Sequence, residues 1–193
     1  LKYARCATGK PAIIHCAKAF HGLSYGSLSI NGDESFREGF APFLPDCRKI
    51  PFNDLEALEQ ELRKKDVAAF VVEPVQGKGV NLPSPGYLRE AAALCRKYGA
   101  VFIDDEVQSG MGRTGRFLAI EHEGDVDPDI VVLAKTLSGG FVPVGAVLCK
   151  KWIHDKVFSS MQRSVVHSST FSQGNFAMAA GLAALDVLDR SQL

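Results

Sequence analysis

Apolar residues in this chain gather into short unbroken runs, and polar residues fill the longer stretches between them. "PAIIHC", "VAAFVVEP", "AVFIDD", "DIVVLAK" and "PVGAVLC" are such runs. Each is strand-sized, and none alternates polar with apolar, so each reads as a strand buried on both faces. A different rhythm separates them. In "NDLEALEQELRKK", Leu55, Leu58 and Leu62 fall at helical spacing, with Asn53 placed to cap and Glu56 three residues on. "SPGYLREAAALCRKYGA" offers Ser84 as cap, Pro85 as first helical residue and Gly99 as stop. "KKWIHDKVF" predicts a short helix, "LKYARCATGK" the last turns of one, and "AMAAGLAALDVLDRSQL" a longer one. From Ala19 to Phe52, glycine, serine and proline predict loop. Strands of this kind alternating with helices predict an α/β fold around a mostly parallel sheet.

Composition narrows the function classes. The 193 residues suit one large domain, with 46% hydrophobic and 23% charged positions as in ordinary globular proteins. Lys plus Arg and Asp plus Glu both number 22, so no net field favours nucleic acid or an acidic membrane. No run approaches the ~20 apolar residues of a membrane span. The 5 cysteines are scattered, without a C-x-x-C, which predicts reduced thiols, a cytoplasmic setting and no zinc knuckle. The 5 histidines show no ligand spacing, so no metal site is expected.

The chemistry should lie where ligands bind such sheets, at the carboxyl ends of the strands. One strand delivers Asp104, Asp105 and Glu106 there, and another delivers Lys135, followed by the permissive "TLSGG". Either alone is explained by a strand emerging into water. Together, a carboxylate and a lysine facing one crevice are what pyridoxal phosphate requires: an amine to form a Schiff base, and an acid to keep the pyridine nitrogen protonated. "GMGRTG" (residues 110–115) matches the dinucleotide pattern G-x-G-x-x-G. In a dinucleotide site the first glycine turns directly off the strand, whereas residues 105–109 intervene here. A nicotinamide-dependent dehydrogenase is thereby reduced to a minor alternative, and a P-loop lacks its Gly-Lys-Ser/Thr.

The stretch from "EPVQGKGV" through "FIDDEVQSGMGRTGRF", then "PDIVVLAKTLSGGFVPVGAVLC", resembles the class III, ornithine-type aminotransferases. "FHG" at residues 20–22 and "HSSTFSQGN" at residues 167–175 extend the resemblance over the whole chain. It implies a fold type I large domain, three-layer α/β/α, and pyridoxal 5′-phosphate as cofactor. It makes Lys135 the Schiff-base lysine and proton carrier, and Asp105, not Asp104, the partner of the pyridinium nitrogen. Gln108 lies by the cofactor's phenolic oxygen, Phe20 stacks on the ring, and His21 follows it as in the family. Thr170 reaches the phosphate of the neighbouring subunit's cofactor, which implies a homodimer with shared sites. The substrates implied are an amino donor with a terminal amine and a 2-oxo acid acceptor. Glu73, before Pro74, stands either near the substrate or as a tie between loops; Arg113 and His167 are exposed-loop residues by default.

Lys78 departs from the family, which often has an acid in "QGEGG" or "QGEAG", and the segment is one residue shorter. That removes the ground for strict ornithine or acetylornithine specificity. The sequence also lacks the glycine-rich phosphate turn that the resemblance places upstream, and the C-terminal small domain with its substrate-binding arginine. Three other readings stay open: an aminomutase of the glutamate-1-semialdehyde type, a truncated product unable to hold cofactor, and the dehydrogenase.

Overall fold

The computed structural model describes residues 1–191; Gln192 and Leu193, the end of the last expected helix, lie outside the described residues. Six strands form one sheet: β1 (Ala12–Cys16), β2 (Cys47–Ile50), β3 (Val67–Val72), β4 (Val101–Asp105), β5 (Ile130–Leu133) and β6 (Ala146–Cys149). Their order is β2-β1-β3-β4-β5-β6, all neighbours parallel except the antiparallel pair β5 and β6. Among the described residues six α-helices surround it: α1 (Lys2–Thr8), α2 (Tyr25–Leu28), α3 (Leu55–Leu62), α4 (Tyr87–Tyr98), α5 (Lys151–Val157) and α6 (Asn175–Ser191).

Because successive strand residues point to opposite faces, β1 and β4 sort their side chains between two layers. Ile14, Cys16, Phe70 and Phe102 pack with Leu58 and Leu62 of α3 and Leu88, Ala91 and Cys95 of α4. Ile13, Val71, Ile103 and Ile130 pack on the other side with Ala4 of α1 and Ile153 and Val157 of α5. This is the expected three-layer α/β/α sandwich. No helix of the described residues is long and apolar enough to cross a membrane. All five cysteines are unpaired thiols.

Four local expectations are corrected. β2 falls inside the segment expected to be loop. It is an edge strand, and its half-exposed Arg48 and Lys49 lack the apolar signature of a buried one. Strands β5 and β6 are not buried on both faces: Val131 and Val132 of β5 are half-buried, and Val147 and Leu148 of β6 are 50% and 53% exposed. Asp54, not Asn53, caps α3, its Oδ1 accepting the Ala57 N–H at 2.8 Å. Asn53 sits at φ 67° and accepts the Ser84 N–H at 2.8 Å, tying the start of α3 to the turn before α4. Ser84 and Pro85 do not open α4: the Ser84 carbonyl accepts the Tyr87 N–H at 3.0 Å in a turn, and Gly86 (φ 85°) precedes the first helical residue.

His15 lies in β1, 2% exposed, with Nδ1 buried and unpartnered among the described residues. Burial, reinforced by nearby His21 and Arg37, lowers its pKa to about 4. Between pH about 6.5 and 4 the unfolded chain takes up a proton that folded His15 refuses, so this residue's contribution to stability falls as acid is added. Denaturant titrations at pH 7 and 4.5 should show wild type losing roughly 2–3 kcal/mol more than His15→Gln over this interval. Equal acid losses would contradict it.

Candidate active site

The end of β4 carries three acids in succession, and the fold gives each a different fate. Asp104 points into the apolar layer beneath α3 and α4, 0% exposed, with neither oxygen partnered among the described residues. Burial, with Glu106 and Asp105 nearby, raises its pKa well above the usual carboxylate range. Glu106 is also buried, accepting the Ser109 hydroxyl at 2.5 Å and the Ile120 N–H at 2.8 Å, and burial raises its pKa too. It anchors the loop that follows: a Cβ on Gly110 would come within 2.9 Å of the Glu106 carbonyl. Gly112 and Gly115, both at φ 83°, complete the turn in "GMGRTG". The glycines therefore serve a tight chain reversal after the acids.

Asp105 faces the other way. His21 Nδ1 meets its Oδ2 at 2.7 Å and the Val107 N–H donates to its Oδ1 at 3.1 Å. The side chains of His21 and Asp105 are only 3% and 9% exposed. A carboxylate can only accept, so the imidazole donates. β4 and β5 run parallel, Asp105 opposite Val132, so the lysine that follows β5 leaves the sheet at the same edge as the acid. Lys135 is held at φ 48°, a left-handed conformation that costs about 1–3 kcal/mol in a residue with a Cβ. Its Nζ donates to Gln108 Oε1 at 2.8 Å.

The loops after β1 and β3 close the arrangement. Glu73, buried at the end of β3, accepts the Phe20 N–H at 2.9 Å and the Gly77 N–H at 3.0 Å. It is thus a tie between the two loops, and burial raises its pKa. Phe20 is half-buried, with its ring edge-on to Phe36 at 5.3 Å. Lys78 pairs with Asp33 and lies over the Phe36 ring at 4.6 Å. The neighbouring turn is closed by Gln76, whose Nε2 reaches the Ala17 carbonyl at 2.8 Å.

Beside these groups opens a cleft of about 600 Å³, lined by Gly77, Val80, Gln108, Arg113, Lys135 and others. Its size is in the ordinary range for small-molecule sites, roughly 300–1,000 Å³. Asp105, His21 and Phe20 do not line it; of these, Phe20 is tied to its wall through Glu73 and Gly77. Thr170 is exposed in the turn before α6 and is not among the lining residues. The sequence-based reading missed Gln76 and Gly77. Gly77 matters most: a Cβ there would lie 2.6 Å from the Gln108 carboxamide carbon.

The fold thus brings a buried, oriented carboxylate and a lysine to neighbouring strand ends of one α/β sheet. The chain belongs to the class III aminotransferases: the family described as "Aminotransferase class-III" matches residues 1–193. It is 43% identical over 186 residues to the aminotransferase PigE of Serratia sp. (strain ATCC 39006), covering 96% of this chain and 22% of that protein. It is 44% identical over 182 residues to the probable mitochondrial ornithine aminotransferase of Caenorhabditis elegans, covering 94% and 42%. The structure superposes on the Toxoplasma gondii ornithine aminotransferase, which has partial occupancy of PLP at its active site. The TM-score is 0.92 at 37% identity, covering 99% of this chain and 46% of that one. The chain thus spans less than half the length of these relatives.

Gly77→Ala should push the Gln108 carboxamide off Lys135 while costing less than about 1 kcal/mol, because a flexible side-chain tip gives way rather than backbone. A crystal structure and a melting curve of the variant check this; a Gln108–Lys135 bond retained at 2.8 Å would contradict it.

Proposed function

We propose that the full-length protein is a pyridoxal-phosphate-dependent aminotransferase that moves an amino group, from a terminal amine, to a 2-oxo acid in alternating half-reactions. This chain is read as its cofactor-binding large domain. The observation carrying the proposal is the pairing of β4 with β5, which sends Asp105 and Lys135 out at one edge with Gln108 bonded to the lysine.

The residues fit the cofactor chemically. A carboxylate suits the ring nitrogen, an amine the aldehyde, a carboxamide the phenolic oxygen and an aromatic ring the pyridine face. Asp105, Lys135, Gln108 and Phe20 supply these in turn. When bound, pyridoxal phosphate contributes an aldehyde that condenses with amines and a protonated ring that draws electrons from the substrate carbon. His21 and the Val107 N–H fix the Asp105 carboxylate, which would pair with the ring nitrogen. His21 is therefore a positioning residue. Gln108 accepts a hydrogen bond from Lys135 Nζ and so orients the amine that would take the proton from the substrate carbon and return it.

An assembled form is supported by large apolar side chains left on the surface. Phe141, Met161, Phe171 and Phe176 are 91%, 83%, 88% and 78% exposed, apolar surface that further chain or a second subunit would cover. We read the assembly as a homodimer in which Thr170 reaches the partner's cofactor phosphate. Five unpaired thiols support a reducing, cytoplasmic location. The named relatives are aminotransferases, which does not favour the aminomutase reading.

Borohydride reduction of the full-length protein with pyridoxal phosphate should leave a pyridoxyl group on the peptide carrying Lys135, and turnover should require a free 2-oxo acid. An unmodified Lys135 would overturn the proposal; turnover without a 2-oxo acid would move it to the aminomutases.

A further inference from the structure

Glu73 joins the loop after β3 to the loop after β1 by accepting the N–H groups of Phe20 and Gly77. It fixes the backbone of Phe20 and leaves the ring to other contacts. A second tie between the same loops is made by side chains. Lys78, next to the cleft-lining Gly77, pairs with Asp33 Oδ2 and sets its ammonium 4.6 Å from the centroid of the half-buried Phe36 ring. Phe36 in turn meets the Phe20 ring edge-on at 5.3 Å. The other oxygen of Asp33 accepts the Ser35 N–H at 2.9 Å and the Ser35 hydroxyl at 2.7 Å, so the carboxylate that holds the lysine also caps the turn carrying Phe36. Glu34 anchors that turn to the sheet edge, accepting from Lys49 of β2 at 2.5 Å. An unbroken line of contacts thus runs from Lys78 through Phe36 to Phe20. An exposed ion pair alone contributes little, but a cation over one ring, with that ring against a second, restricts how both can turn. An acid at position 78 would meet the Asp33 carboxylate and the electron-rich ring face with like charge. The lysine is therefore matched to the residues around it in this chain.

We propose that Lys78 is a positioning residue: acting through Phe36, it holds the Phe20 ring at the angle that stacks on the pyridine face of the cofactor. That role rests on the transaminase reading, which supplies the cofactor and places Phe20 against it.

The test uses the full-length protein and reads two quantities: its affinity for pyridoxal phosphate, and the circular dichroism of the bound cofactor's absorption band. Lys78→Met should weaken cofactor binding roughly three- to tenfold and reduce the dichroic band. Lys78→Arg, which also stacks on aromatic faces, should keep both within about twofold of wild type. Phe20→Leu should weaken binding by itself, and adding Lys78→Met to it should change the affinity by less than about 1.5-fold, because the lysine acts through that ring. Unchanged affinity and dichroism in Lys78→Met would overturn the proposal. So would a loss that arginine does not rescue, or one that persists in full in the Phe20→Leu background. Should Lys78→Met fail to fold, Asp33→Asn keeps an oxygen for the Ser35 bonds, removes the charge facing Lys78 and must shift both readouts in the same direction. If Lys135 takes up no pyridoxyl group, the transaminase reading fails, and the tie is still tested without cofactor. In protein labelled with 4-fluorophenylalanine, the fluorine-19 resonance of position 20 should shift in Lys78→Met and stay in place in Lys78→Arg; a resonance that does not move in Lys78→Met overturns the proposal.

Discussion

Parallel strands paired in register leave a sheet at the same edge, and the site of this protein depends on that geometry between β4 and β5. Asp105 stands opposite Val132, so the acid and the lysine that follows β5 emerge together although 30 positions separate them in the chain. The half-buried and buried strands on either side fix that edge against a packed core on both faces. Each exit is then shaped locally. After β4, Glu106 ties down a loop that only a glycine at position 110 accommodates. After β5, Lys135 adopts a left-handed backbone conformation, and local strain of this kind concentrates at working sites.

The acids at the end of β4 illustrate how one strand produces unlike groups from like residues. The alternation of side chains buries Asp104 in an apolar layer, where the neutral form is favoured. The next residue turns to the opposite face and meets His21. Glu106 is spent on backbone and hydroxyl donors. Of the three acids, Asp105 is thus the one left as a carboxylate oriented by an imidazole. His21 lies 84 positions away in the sequence, so the loop after β1 is as much a part of the site as the strand itself.

Much of this was legible in the sequence because buried strands and strand-end charges leave strong local marks. The runs that became β1, β3 and β4 are continuous and apolar, and "FIDDE" and "VVLAK" announce where they end. β2 was not legible because it lies at the sheet edge, where Arg48 and Lys49 are tolerated. The helix caps shifted by one or two residues because Asn53 and Ser84 bond to each other across the fold, a contact no local pattern encodes. The link from Glu73 to Phe20 and Gly77 was hidden for the same reason, and so was the space that Gly77 leaves for Gln108. Arg113 read as an ordinary loop cation; its place in the cleft comes from the reversal after Gly110.

The assignment of Asp105 to the ring nitrogen can be read directly by nitrogen-15 NMR of the full-length protein loaded with ring-labelled pyridoxal phosphate. The pyridine nitrogen should be protonated at neutral pH in wild type and lose that proton in Asp105→Asn. An unprotonated nitrogen in the wild type, or a protonated one that survives the substitution, would contradict it.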